Sequence, residues 1–108
     1  MMLSLKPDDV QFIGRDLVRP ECVLTTRSGD LFTSDGRGGV SIIRRDGTQE
    51  LILPDDAPDG FLPNGIALMP NRDILIANLG AAGGVWRLRP DGPLSLEISE
   101  ADGLSLPP

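Results

Sequence analysis

The chain has carboxylates, amides and one thiol to do chemistry with. Its 108 residues include no histidine, a single cysteine, and sixteen Asp and Glu against ten Lys and Arg, for a formal net charge of −6. Without histidine, a Ser-His-Asp triad, imidazole general-base chemistry and histidine-ligated zinc are excluded within this chain. Cys22 has no second thiol to pair with, so the chain does not need an oxidising compartment. What remains is oxygen chemistry. Two oxygen-bearing side chains stand at matching places, Glu21 after Arg19-Pro20 and Asn64 after Leu62-Pro63. Carboxylate and amide oxygens suit hard cations such as Ca²⁺ or Mg²⁺, and a cation held there would polarise a carbonyl and activate a water. Two such ligands are too few for a good site, since calcium takes six to eight.

The elements that position these oxygens must be short. Thirteen glycines and ten prolines punctuate the chain, a density that long helices do not survive and that strands and turns do. The chain also repeats itself. Arg19-Pro20-Glu21-Cys22-Val23-Leu24 lies on Leu62-Pro63-Asn64-Gly65-Ile66-Ala67 at an offset of 43 residues, and the stretch from Gly29 to Asp35 lies on Arg72 to Asn78 at the same offset. Two residues are inserted around Ala81-Ala82, after which Gly39 to Gly47 lies on Gly84 to Gly92 at an offset of 45. Asp59-Gly60 then meets Asp102-Gly103, back at 43. Each unit reads as four strands, 22–26, 30–34, 40–44 and 50–53 in the first and 65–69, 74–77, 85–89 and 94–98 in the second. Asp-Gly, Ser-Gly and Asn-Arg turns separate them. Four strands in about 40–45 residues is the period of a β-propeller blade. The expected fold is all-β, a β-propeller portion of about two four-stranded blades plus an N-terminal outer strand. An eight-stranded sandwich or barrel is the alternative, and the aligned Pro, Gly and Asp-Gly positions favour the propeller. Inner strands of a propeller face its channel, so Glu21 and Asn64 would converge there.

Val10-Gln11-Phe12-Ile13 alternates and has no inner strands of its own, which predicts an outer strand of the kind that closes a propeller ring. The expected divisions are residues 1–19 for this N-terminal segment, 20–62 for the first blade, and 63–108 for the second blade and the link to a third. The chain ends at Leu106-Pro107-Pro108, where a third unit would begin.

With Arg19-Pro20-Glu21, the Gly29-Asp30-Leu31-Phe32-Thr33-Ser34-Asp35 stretch and Leu62-Pro63-Asn64-Gly65-Ile66-Ala67-Leu68 in place, the sequence resembles the gluconolactonase and senescence-marker-protein (regucalcin-like) family. The resemblance covers nearly the whole chain and the first third of the family's six-bladed propellers. Strictosidine-synthase-like and NHL-type propellers share some of this punctuation. The resemblance implies a metal-dependent lactone hydrolase acting on a lactone or sugar acid, with a divalent metal in the central channel, calcium first and zinc or magnesium after it. It places Glu21 as a metal ligand and Asn64 as a substrate or metal ligand. It also puts the later Asn ligand and the catalytic Asp on blades beyond this chain, so a non-catalytic structural or binding module is the competing expectation.

Other residues have plainer readings. Asp35 and Asn78, equivalent in the repeat, read as turn caps, Cys22 as a small core residue, and Trp86 as packing between blades. Gly36-Arg37-Gly38-Gly39 lacks the Lys-Ser/Thr of a phosphate loop and reads as a surface turn. Asp55, Asp56 and Asp59, broken by Pro54 and Pro58, read as a solvated loop. The acidic balance and the lack of a basic stripe argue against nucleic acid as a partner. No apolar run approaches the ~18 residues of a membrane span, and Met1 to Pro7 has no apolar signal core. A cytoplasmic location is expected, with self-association through exposed blade faces.

Overall fold

The computed structural model describes residues 13–98, 100–101 and 104–105. Among them no helix forms. The chain folds into two four-stranded antiparallel sheets. The first is β1 (Val23–Thr25), β2 (Leu31–Asp35), β3 (Gly39–Ile43) and β4 (Gln49–Ile52). The second is β5 (Pro63–Leu68), β6 (Ile74–Asn78), β7 (Val85–Leu88) and β8 (Leu94–Ile98). Strands follow one another in chain order across each sheet, and a two-stranded ribbon, β9 (Glu100–Ala101) and β10 (Leu104–Ser105), comes after them. All eight expected strands are present, with ends shifted by up to two residues and β8 unchanged. The largest shift is at the second inner strand, which begins at Pro63 rather than Gly65, while the first begins at Val23 rather than Cys22.

The repeat extends to individual hydrogen bonds. In the first hairpin the Thr26 N–H donates to the Asp30 carbonyl and the Gly29 N–H to the Thr26 carbonyl; in the second, Met69 donates to Asp73 and Arg72 to Met69. These are the same two bonds 43 residues apart. At the outer turns Arg44 donates to Thr48 and Gly47 to Arg44, matched 45 residues later by Arg89 to Pro93 and Gly92 to Arg89. Gly29, Gly47 and Gly92 take left-handed φ values of 88°, 90° and 112°, the conformation that a missing Cβ makes accessible. Arg72 stands where the first repeat has Gly29 and adopts φ 74°.

Period-two alternation sorts each strand's residues between two faces. On the first sheet Leu24, Phe32 and Ile42 are cross-strand neighbours, as are Val40 and Ile52. On the second, Ile66, Ile76 and Trp86 align, and so do Leu68, Ile74, Leu88 and Leu94. These two apolar faces pack together with Phe61 to form the core, and Val40, Ile76 and Leu88 lose all solvent contact. The Trp86 ring meets Phe61 edge to face at 5.8 Å, and its indole N–H donates to the Gly83 carbonyl. Trp86 therefore packs against the core as expected. Cys22 is partly buried against the same cluster.

The opposite face of the first sheet is covered in part by the segment that precedes it. The Arg15 N–H donates to Gln49 Oε1, and Gln49 Nε2 returns a bond to the Arg15 carbonyl. Gly14 lies close against Ile43 and Leu17. Of the expected outer strand over residues 10–13, residues 10–12 lie outside the described residues, and Ile13 is exposed and in no strand.

Candidate functional site

Each blade is tied to the segment leading into its inner strand by one side chain at the end of its second strand. Asp35, with no exposed side-chain surface, accepts the Val18 N–H at 3.4 Å, while the Gly36 N–H donates to the Val18 carbonyl. Asn78 does the same in the second blade. Its Oδ1 accepts the Leu62 N–H at 2.9 Å and the Gly80 N–H at 2.8 Å, and the Leu79 N–H donates to the Leu62 carbonyl. Asn78 Nδ2 also donates to the Gly83 carbonyl, closing the turn. Both residues cap turns, as expected from sequence. Both also fix where their own blade's inner strand begins, which the sequence does not reveal.

Asp35 is held further by Arg37, whose backbone N–H, Nε and NH2 all donate to its carboxylate at 2.8–2.9 Å. The Arg37 guanidinium holds the Asp35 carboxyl below the usual carboxylate range, against the opposing effect of burial. Arg37 also donates to the Asp16 carbonyl, so the Gly36–Gly39 turn clamps the leading segment rather than lying free on the surface.

On this frame Glu21 and Asn64 stand ahead of and within neighbouring inner strands. Glu21 sits two residues before β1, is exposed, and lies 3.4 Å from the Arg19 guanidinium. Asn64 is the second residue of β5 and is half-buried, in a stretch where the ladder register shifts between Pro63 and Ile66. The two inner strands meet where Cys22 Sγ lies 4.0 Å from the Ile66 carbonyl oxygen. A cavity of about 140 Å³ between the blades is lined by Asp30, Phe32, Ile42, Glu50, Arg72 and Ile74, among others, and by neither Glu21 nor Asn64. Among the described residues no three His, Cys, Asp or Glu side chains come together as metal ligands would. The chemistry of Glu21 and Asn64 suits a hard cation, but their number does not, and Glu21 already has a cationic partner. The described residues of this chain do not make up a complete metal site.

Sequence alone does not single out Arg19 and Arg37. Their signal is proximity to an acid two residues away, Arg19 to Glu21 and Arg37 to Asp35. Asp55, Asp56 and Asp59 are exposed, as a solvated loop requires.

The architecture matches a solved structure. A catalytically inactive virginiamycin B lyase from Staphylococcus aureus, crystallised with quinupristin, superposes with a TM-score of 0.63 at 16% identity over 84% of this chain. The match takes in 30% of the lyase, so this chain spans less than a third of that protein's length. At this identity the likeness shows the fold. The chain is a β-propeller portion of about two blades. No family model matches the sequence, and no curated protein does. Among the described residues no helix is long and apolar enough to cross a membrane.

Proposed function

We propose that this chain supplies two blades of a regucalcin-like lactone hydrolase, with Glu21 and Asn64 as the first two oxygen donors around its channel. The observation that carries this reading is the matched placement of the two residues. Each follows the proline of its repeat, at the head of one of two neighbouring inner strands. A propeller turns such positions toward its axis, so further blades would add donors to the same point. The cation that suits these donors is calcium, and magnesium or zinc would compete for it. The substrate class is a small sugar lactone. The chain's own part is to hold and orient, because a carboxylate and a neutral amide without a nearby base do not make a hydrolytic centre.

The test uses the whole reading frame in which this segment is encoded. Its product should open aldonolactone rings in a proton-release assay when calcium is supplied, and Glu21→Gln should lower kcat/KM at least 100-fold. A product that is folded, calcium-loaded and inert toward a panel of lactones would overturn the reading. A second reading, a non-catalytic binding or structural module, is favoured by the missing third ligand among the described residues. It predicts that same inert outcome.

A further inference from the structure

The cavity of about 140 Å³ between the blades has an apolar body and a charged mouth. Phe32 and Ile42 of the first blade and Ile74 of the second are buried along it, and Ile52 is partly so. Its walls thus come from both sheets, from β2, β3 and β4 on one side and from β6 on the other. A hydrocarbon-lined space of about this size admits a benzene-sized molecule.

Four charged side chains, all exposed or half-buried, line the mouth: Asp30, Arg44, Glu50 and Arg72. Three of them already have partners. The Arg44 guanidinium donates to Glu50 Oε1 at 2.8 Å. The Asp30 carboxylate accepts the Arg45 backbone N–H at 3.1 Å and the Ser28 hydroxyl at 3.4 Å. Arg72 forms no ion pair among the described residues. Its own turn does not require it either. Glycine holds the same place in the first blade, and the two hydrogen bonds of that turn form with Gly29 as they do with Arg72. The second blade therefore adds a guanidinium at the opening of an apolar cavity, where the first blade has no side chain.

We propose that this cavity is a binding site for a small aromatic carboxylate, with the ring against Phe32, Ile42, Ile52 and Ile74 and the carboxylate accepting from the Arg72 guanidinium. Size and charge argue together. Burial of the ring in the apolar body supplies most of the affinity. One guanidinium at the rim selects an anion over a neutral molecule of the same size. Asp30 and Glu50 at the same mouth repel further negative charge, which limits the ligand to a single carboxylate. The proposal does not depend on the lactone reading, since neither Glu21 nor Asn64 lines the cavity.

The experiment is a titration of the chain with benzoate, observed by NMR at the methyl groups of Ile42, Ile52 and Ile74. Benzoate should shift all three saturably in the millimolar range that suits a ligand of so few atoms, and its ring protons should show NOEs to them. Arg72→Gly is the informative variant, because it gives the second blade the first blade's turn residue and leaves the apolar wall intact. It should weaken benzoate about fivefold, the upper range for an exposed charge pair, and leave benzyl alcohol, the neutral counterpart, unchanged. Benzylamine should bind the wild-type chain more weakly than benzoate does. No saturable shift with benzoate, or shifts confined to residues away from these methyls, would overturn the site. Equal benzoate affinity in wild type and Arg72→Gly, or tighter binding of benzylamine, would overturn the carboxylate as its ligand.

Discussion

Asp35 receives hydrogen bonds from Val18, Ser41 and both the backbone and guanidinium of Arg37. The Arg37 bonds hold its carboxyl below its usual range in the folded state. Between that lowered value and the ordinary ~3.9, the unfolded chain binds a proton that the folded chain does not. Stability therefore rises with pH across this window. The contribution is fully present above the unfolded value and is lost as pH falls through the folded one. Asp35→Asn should cost about 2 kcal/mol at pH 7 in urea denaturation and should flatten the acid limb of the stability profile. Loss of stability with an unchanged acid limb would show that another carboxylate carries it. Arg72 offers the opposite case. Its φ of 74° repeats that of Gly29, so Arg72→Gly should add about 0.5–1 kcal/mol, read as a higher melting temperature.

At the scale of elements, the first hairpins of the two blades share their closing hydrogen bonds one for one, but the outer strands differ in how closely they approach. A Cβ on Gly39 would fall on the Ile52 carbonyl oxygen, so β3 and β4 pair only because that position has no side chain. Gly39→Ala should cost about 3 kcal/mol and shift the β4 amide resonances, since backbone rather than a flexible side chain must move. A Cβ on Gly92 would meet nothing within 4 Å, but the residue has φ 112°. Its change to Ala should act only through backbone strain, by about 1 kcal/mol. A larger loss at Gly92 than at Gly39 would contradict this ordering.

For the whole molecule the decisive surfaces are the two outward faces of the blade pair. The first blade's outer face is partly covered by Gly14 to Val18. The second blade's outer face presents Leu75 beside Arg87, whose guanidinium bridges Asp73 at 2.9 Å and Glu97 at 2.6 Å. In the first blade the residue aligned with Arg87 is Ile42, which is buried between the blades. The ion pairs make the free face more polar than the packed one. Leu96 and Ile98 nevertheless remain exposed on β8. Among the described residues β8 has a strand partner on one side only, and exposed apolar side chains at such an edge favour association. Light scattering across a concentration series should show mass rising above that of one chain, and Arg87→Leu should move the rise to lower concentration. A single-chain mass at every concentration for both proteins would count against it.

The repeat, the eight strands and the turn residues were legible in the sequence because they are local. Alternation, Asp-Gly punctuation and glycine at left-handed positions act over a few neighbouring residues, and Asp46-Gly47 recurs as Asp91-Gly92 at the spacing of 45. The same periodicity aligned Glu21 with Asn64, and the fold sets Glu21 two residues ahead of β1 and Asn64 as the second residue of β5. The sequence alone left open which residue anchors the start of each inner strand, because that depends on bonds between Asp35 and Val18 and between Asn78 and Leu62, across 17 and 16 residues. It therefore aligned Arg19 with Leu62, whereas the tertiary hydrogen bonds give that role to Val18. Only the folded chain decides that Arg19 is an added residue, held left-handed against Gly36 with its charge at Glu21. A one-residue difference in loop path changes no hydrophobic period, yet it changes which side chains meet.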